Sequence, residues 1–439
     1  MTSRHPLREL LALPDLRRLL YVRLAGQAGD GLFQTALILV VFFDPNDATS
    51  AGQAALAFAV LLLPFSLVGP FAGVFLDRWR RQRVLRNANL GRAGLVTATA
   101  ALLATLGADS LVVQGFALLV ISTNRFILAA LSAALPHVVA KRQLVTANAV
   151  TTTLGGGAFT LGAVAATAMR PAFGSGQVGG ARTSLLAAGT YLLAALLAAR
   201  ITRDLLGPDA RAQDRLREAL GHVARGVAQG AQHVRERGPA FRALAAISAH
   251  RFFYGLSTVA TLLLYTPNGF LGRQFAGEGA FGGLIAVGAV AVLGGLSAAL
   301  VTPAVTRRLG TQRWIVLVFS AAAVAELVFG LPYTHGAFLV AAFFLGFAAQ
   351  AGKICVDTLV QESVEDDFRG RVFSFYDTLF NVSFVLAAAA SAVVLPEDGK
   401  SYAVIGIVAG GYTLTALLYG VFTARRAAAE PPEPVVTRG

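Results

Sequence analysis

The chain has a single cysteine, Cys355, in 439 residues, which excludes an intramolecular disulfide and a cysteine-based metal cluster. Charge is scarce too. Asp, Glu, Lys and Arg make up 14% of the residues, against about 25% in a soluble globular chain. That is too little polar side chain to coat a water-facing surface of this size. The 6 histidines are scattered, and no HExxH or comparable ligand spacing occurs. The pattern G-x-x-x-x-G-K-S/T is missing, so ATP hydrolysis by this chain has no support. Without a metal cluster or a nucleophile–base arrangement, no enzyme is expected, and no cofactor. The opening MTSRHPLREL is polar, so no cleavable signal peptide is expected.

Apolar residues are abundant: 55% of the chain, with a mean hydropathy of +0.63. Lipid is the solvent that such a composition needs. A helix crosses the hydrocarbon core in about 20 mainly apolar residues. Windows of that length lie at 20–43, 54–76, 87–106, 111–134, 147–169 and 183–201, and again at 243–265, 279–301, 314–333, 337–360, 372–395 and 402–422. The fifth is interrupted by Gly155, Gly156 and Gly157. The reading is an all-α integral membrane protein of about twelve spans, six and six. Residues 1–201 form an N-terminal bundle, 202–242 a basic linker helix or loop, 243–424 a C-terminal bundle and 425–439 a disordered cytoplasmic tail.

The 37 Lys and Arg against 24 Asp and Glu could suggest nucleic acid, but their distribution speaks for topology. Most fall in the N-terminal segment, the linker and alternate loops, whereas the opposite side holds Arg170, Arg182, Arg273 and Lys400. By the positive-inside rule both termini are cytoplasmic, in the cytoplasmic membrane. The expected partners are the lipid bilayer, a small-molecule substrate and protons, with no nucleic acid; the oligomeric state is open, a monomer being one option. A faint repeat supports two related halves. Sliding the sequence so that Arg18 lies over Arg242 places Asp30 over Tyr254, Gly31 over Gly255 and Leu32 over Leu256.

Charges inside the spans need a reason, because each costs at least about 2.5–3.5 kcal/mol near the bilayer centre. In the first span Arg23, Gln27, Asp30 and Gln34 form one stripe at helical spacing. Arg251, Tyr254, Thr258 and Thr261 do so in the seventh, with His250 alongside, and Gln350, Lys353, Asp357 and Gln361 in the tenth. The fourth contributes Arg125. Asp30 and Arg125 share a depth of roughly 15 Å, so Asp30 is expected to be the protonatable or cation-binding carboxylate and Arg125 its counter-charge. A structural buried pair is the rival. Lys353 and Asp357 can pair within their helix, with Asp377 and Asn381 close enough to join them or the loop after the second span. Arg92, about a turn into the third window, is expected to snorkel to the interface. Glu326 carries little weight, and Phe252, Phe253 and Phe375 are expected to be core packing.

That loop after the second span reads Gly73, then Asp77, Arg78, Trp79, Arg80, Arg81, Gln82 and Arg83. It resembles the motif G-x-x-x-D-R-x-G-R/K-R/K of the major facilitator superfamily, with Arg80 in place of the second glycine. The resemblance implies the twelve-helix facilitator fold of two six-helix pseudo-repeats, a cavity lined by spans 1, 4, 7 and 10, and a cytoplasmic gate at this loop. Those four spans are the ones that carry the polar stripes. The gate residues would be Gly73, Asp77, Arg78, Arg81, Arg83, Asp357, Asp377 and Asn381, with Arg81 and Arg83 bonding across the seam between the halves. Leu135-Pro136, Leu144, Ala147-Asn148, Gln361 and Arg369-Gly370-Arg371-Val372 resemble the enterobactin- and drug-exporter-like branch. The proline-containing antiporter pattern of the fifth span is missing. The implied function is secondary transport by alternating access, with proton-coupled efflux of an amphipathic, drug- or siderophore-like compound. Proton-symport uptake and a non-transporting receptor or scaffold are the alternatives.

Overall fold

The computed structural model describes residues 12–43, 78–140, 143–207, 216–275, 279–364 and 366–429, with Leu10 and a few positions between 52 and 76. Most of the second window therefore lies outside the described residues, as do Gly73, Asp77 and the tail from 430. Among the described residues the regular structure is helical and contains no strand.

The long helices among the described residues are α1 (Pro14–Phe43), α2 (Arg81–Leu106), α3 (Leu111–Ala134), α4 (Leu144–Ala168), α5 (Gly176–Ala199), α6 (Leu216–Glu236), α7 (Gly238–Leu264), α8 (Gly279–Leu309), α9 (Thr311–Gly330), α10 (His335–Ser363), α11 (Asp366–Val394) and α12 (Tyr402–Ala429). Their ends follow local chemistry. Ser110 accepts a hydrogen bond from the Val112 amide at 3.3 Å to start α3, and Thr334 does the same for α10 through the Ala337 amide. By length and composition α1, α3, α5, α8, α9, α10, α11 and α12 can each cross a membrane. Helices α2 and α7 are as long, but carry arginines within them that lower their hydropathy. Large apolar side chains point outward all round, Leu300 and Val393 with 83% and 86% of their surface uncovered. A soluble protein would hide them; lipid solvates them.

The chain divides into two compact units, one ending at Arg225 and the other starting at Gly226, within the linker helix α6. In the N-terminal unit α1 packs between α4 and α5. A Cβ on Gly31 would lie 2.0 Å from the Phe159 carbonyl of α4, and one on Gly162 would lie 2.1 Å from the Ala28 carbonyl of α1. Backbone touches backbone there, as membrane helices do where small residues face each other. This contact also explains why the glycine run does not break α4. The helix continues through it because tertiary packing supports it, and Gly155 leaves room for the Arg23 side chain.

The C-terminal unit repeats the contact. Gly31 meets Ala163 of α4, and Gly255 of α7 meets Ala387 of α11. The register that lays Arg18 over Arg242 also lays Gly31 over Gly255 and Ala163 over Ala387. The same device recurs where Gly294 of α8 faces the Phe343 carbonyl and Gly346 of α10 faces the Ala291 carbonyl.

Candidate functional site

Asp30 is the centre of the N-terminal unit's polar core, with 2% of its surface uncovered. Three helices hold it. Arg92 of α2 forms an ion pair with Oδ1, the Tyr191 hydroxyl of α5 donates to the same oxygen at 3.0 Å, and Gln27 of α1 donates to Oδ2 at 3.0 Å. The Arg92 guanidinium lies 3.8 Å over the centre of the Tyr191 ring, so Tyr191 supports both charges. Arg125 of α3 attracts Asp30 through space.

The direct partner of Asp30 is thus Arg92, where Arg125 was expected, and Arg92 does not snorkel: it is fully buried. The error was one of depth. The apolar window opens at 87, but α2 begins at Arg81, which puts Arg92 about three turns in rather than one. The buried Tyr191 carried no signal of its own, since aromatic residues in spans read as packing.

The other stripe residues of α1 face elsewhere. Arg23 reaches Gly155 and lines a small cleft with Ser132, Asn148 and Thr151. Gln34 lines an apolar pocket with Leu37, Ile38, Val113 and Gln114.

In the C-terminal unit Lys353 and Asp357 pair within α10, Nζ lying 2.9 Å from Oδ2 and 3.2 Å from Oδ1. Asp377 of α11 acts electrostatically on both. Asn381 donates instead to the Asp377 carbonyl of its own helix at 2.8 Å. Gln350 is exposed, and its side chain lies alongside Gly295 of α8. Thr258 spends its hydroxyl on the Tyr254 carbonyl at 2.7 Å.

Arg251 rests on rings: its guanidinium carbon lies 4.3 Å from the centre of Phe380, 4.5 Å from Phe384 and 5.7 Å from Tyr254. His250 is buried beside it, stacked on Phe319 at 4.6 Å. Glu326 of α9 is buried and accepts a hydrogen bond from Ser257 of α7 at 2.9 Å. Phe380 and Phe384 had no sequence signal beyond apolarity. Glu326 did have one, a charge at mid-span.

At the start of α2, Arg81 donates to the Ala133 carbonyl at 2.9 Å and to the Leu206 carbonyl at 3.2 Å, and meets His137 Nε2 at 2.8 Å. It was expected to bond across the two halves, yet these partners lie in its own unit. The C-terminal end of α3 and the turn after α5 bring unsatisfied carbonyls to it. Arg80 pairs with Asp204 at 3.0 Å. Arg78 and the exposed Arg83 line an open cleft with Trp79 and Phe126.

Comparison with known proteins agrees with a membrane carrier. The model of the Major Facilitator Superfamily matches residues 24–388 and 267–438. An MFS-type transporter of Mycobacterium bovis and one of Mycobacterium tuberculosis are each 36% identical over 396 residues, covering 90% of this chain and 88% of their own. Among solved structures, the nucleoside transporter NupG in its D323A form superposes with a TM-score of 0.68 at 13% identity, over 92% of this chain and 99% of that one. A POT family transporter in complex with 5-aminolevulinic acid gives 0.65 at 12% identity, over 93% and 96%. At these identities the structures speak for the fold alone. Helices built for lipid, buried charges held by several of them, and a family match over most of the sequence lead to one conclusion: the chain belongs to the major facilitator superfamily and is a multi-pass membrane transport protein, not an enzyme.

Proposed function

We propose that this protein is a secondary active transporter that works by alternating access and couples the movement of its substrate to protons through Asp30. The observation that carries the reading is the buried Asp30 carboxylate, held at once by Arg92, Tyr191 and Gln27 from three helices. A proton on Asp30 removes the charge that binds Arg92 and leaves two cations, Arg92 and Arg125, without their shared counter-charge. Helices α1, α2 and α5 are then held together less tightly, which biases one state of the carrier over the other. Lys353, Asp357, Asp377 and the loop around Arg78, Arg81 and Arg83 act as the cytoplasmic gate, and Arg251, Tyr254 and Thr258 belong to the substrate path.

The topology that goes with this reading has about twelve spans in two six-helix halves, with both termini in the cytoplasm. The basic residues of alternate loops support it. The cargo is an amphipathic compound and the direction is export from the cell, on the likeness of the loops near Leu135 and Arg369 to the exporter branch. The test is flux in proteoliposomes under an imposed pH gradient, across a panel of amphipathic compounds. Wild-type protein concentrates its substrate against a gradient, and Asp30→Asn does not. Concentrative transport by Asp30→Asn at the wild-type rate refutes the coupling role.

A further inference from the structure

We infer that Arg251 is the anchor of an anion subsite in the C-terminal unit, built for an organic anion: a carboxylate or similar oxyanion carried on an apolar, ring-bearing body. This deepens the transport reading and rests on it, since it names the chemical class of the cargo.

Several cations in the protein are matched by oxygen acceptors. Arg92 has Asp30, Lys353 has Asp357, and Arg81 has two carbonyls. Arg251 is different. Among the described residues its neighbours are ring faces, Phe380 and Phe384 of α11 with Tyr254 of its own helix. Its Nε is buried without a hydrogen-bond partner. A guanidinium stays charged whatever surrounds it, and stacking on rings offsets only part of the cost of burying that charge.

The geometry says what is missing. The guanidinium carbon lies over the rings of Phe380 and Phe384, and the five N–H donors of a guanidinium lie in its own plane. Contact with rings uses none of those donors, so an oxyanion approaching in the plane can accept two parallel hydrogen bonds. The surroundings supply donors rather than competing acceptors. The buried Tyr412 hydroxyl, within the electrostatic field of Arg251, has no hydrogen-bond partner. The acidic groups nearby are engaged elsewhere: Asp357 with Lys353, and Glu326 with Ser257. Phe380 and Phe384, already in place to hold the guanidinium, also offer an apolar wall to the body of the ligand. Anion, plane and rings together describe an amphipathic carboxylate.

The experiment is equilibrium binding to the full chain in detergent, using naphthoate, its neutral isostere naphthamide and the cationic naphthylmethylammonium as probes. Wild-type protein is expected to bind naphthoate at least about tenfold more tightly than either of the others, a difference of about 1.4 kcal/mol. Arg251→Lys keeps the charge but loses the planar fork, and is expected to lose about tenfold for naphthoate with little change for naphthamide. Arg251→Gln is expected to remove the preference altogether. Should Arg251→Gln fail to fold, Arg251→Lys and the three-probe series on wild-type protein decide the matter. Equal binding of the three probes to wild-type protein, no binding of naphthoate, or an undiminished preference in Arg251→Lys overturns the subsite. Flux is measured separately. Naphthoate bound without any flux counts against the transport reading and leaves the subsite standing, whereas proton-driven flux of compounds without regard to charge counts against the subsite alone.

Discussion

The two units bury charge in opposite ways. In the N-terminal unit a carboxylate and a guanidinium are neutralised against each other, with Tyr191 and Gln27 completing the bonds around Asp30. In the C-terminal unit the half-buried Arg251 lies against rings and has no acidic partner among the described residues. On the proposed reading the matched pair is opened by a proton and the cation on rings receives an anion. That reading gives the two halves of the repeat different tasks. The glycine contacts that set helix spacing recur at Gly31 and Gly255, while the polar cargo of the repeat changes from Asp30 to Tyr254.

The largest effect expected from breaking this contrast comes from Arg92→Gln. It leaves the Asp30 charge buried and unpaired, a loss of about 3–5 kcal/mol, read as a drop in thermal unfolding temperature in detergent. Adding Asp30→Asn to that variant is expected to recover much of the loss, because no charge then remains stranded. A double variant less stable than Arg92→Gln would mean that the pair matters for its shape and not for its charge. Next in size is the shared packing. Gly162→Val drives side-chain carbons into the Ala28 carbonyl and is expected to cost about 1–3 kcal/mol or more, whereas Gly156→Ala, with nothing within 4 Å of the added carbon, stays within about 0.5 kcal/mol of wild type. Ser257→Ala then takes away the hydrogen bond to Glu326 and is expected to cost about 1–3 kcal/mol. Thr258→Val, where a hydroxyl bonded to its own helix is lost, is expected to cost less, about 0.5 kcal/mol. Equal losses for these last two would remove the distinction between bonds that join helices and bonds made within one.

Much of this was legible in the sequence. The helical class follows from composition and window length, and Asp30 announces itself as a carboxylate where lipid should be. The lysine–aspartate spacing at 353 and 357 gave the pair directly, since helical geometry alone brings the two together. The partner of Asp30 was not legible, because it depends on where α2 begins, and apolar windows mark where lipid starts rather than where the helix starts. Nor were the rings under Arg251. Phe380 and Phe384 are ordinary apolar residues of α11 until tertiary packing lays a guanidinium from α7 across them. Arg81 was read as bonding across the seam between the halves, whereas the carbonyls it meets belong to its own unit, because the turn after α5 returns to the start of α2 only in three dimensions.

The central claim is that Asp30 gains and loses a proton while Arg92 stays charged, and infrared difference spectroscopy on a pH jump tests it most directly. The carboxylic C=O band that grows in wild-type protein on acidification is predicted to be missing in Asp30→Asn and shifted in Arg92→Gln. A band unchanged by Asp30→Asn would contradict the account, because the proton would then reside on another group.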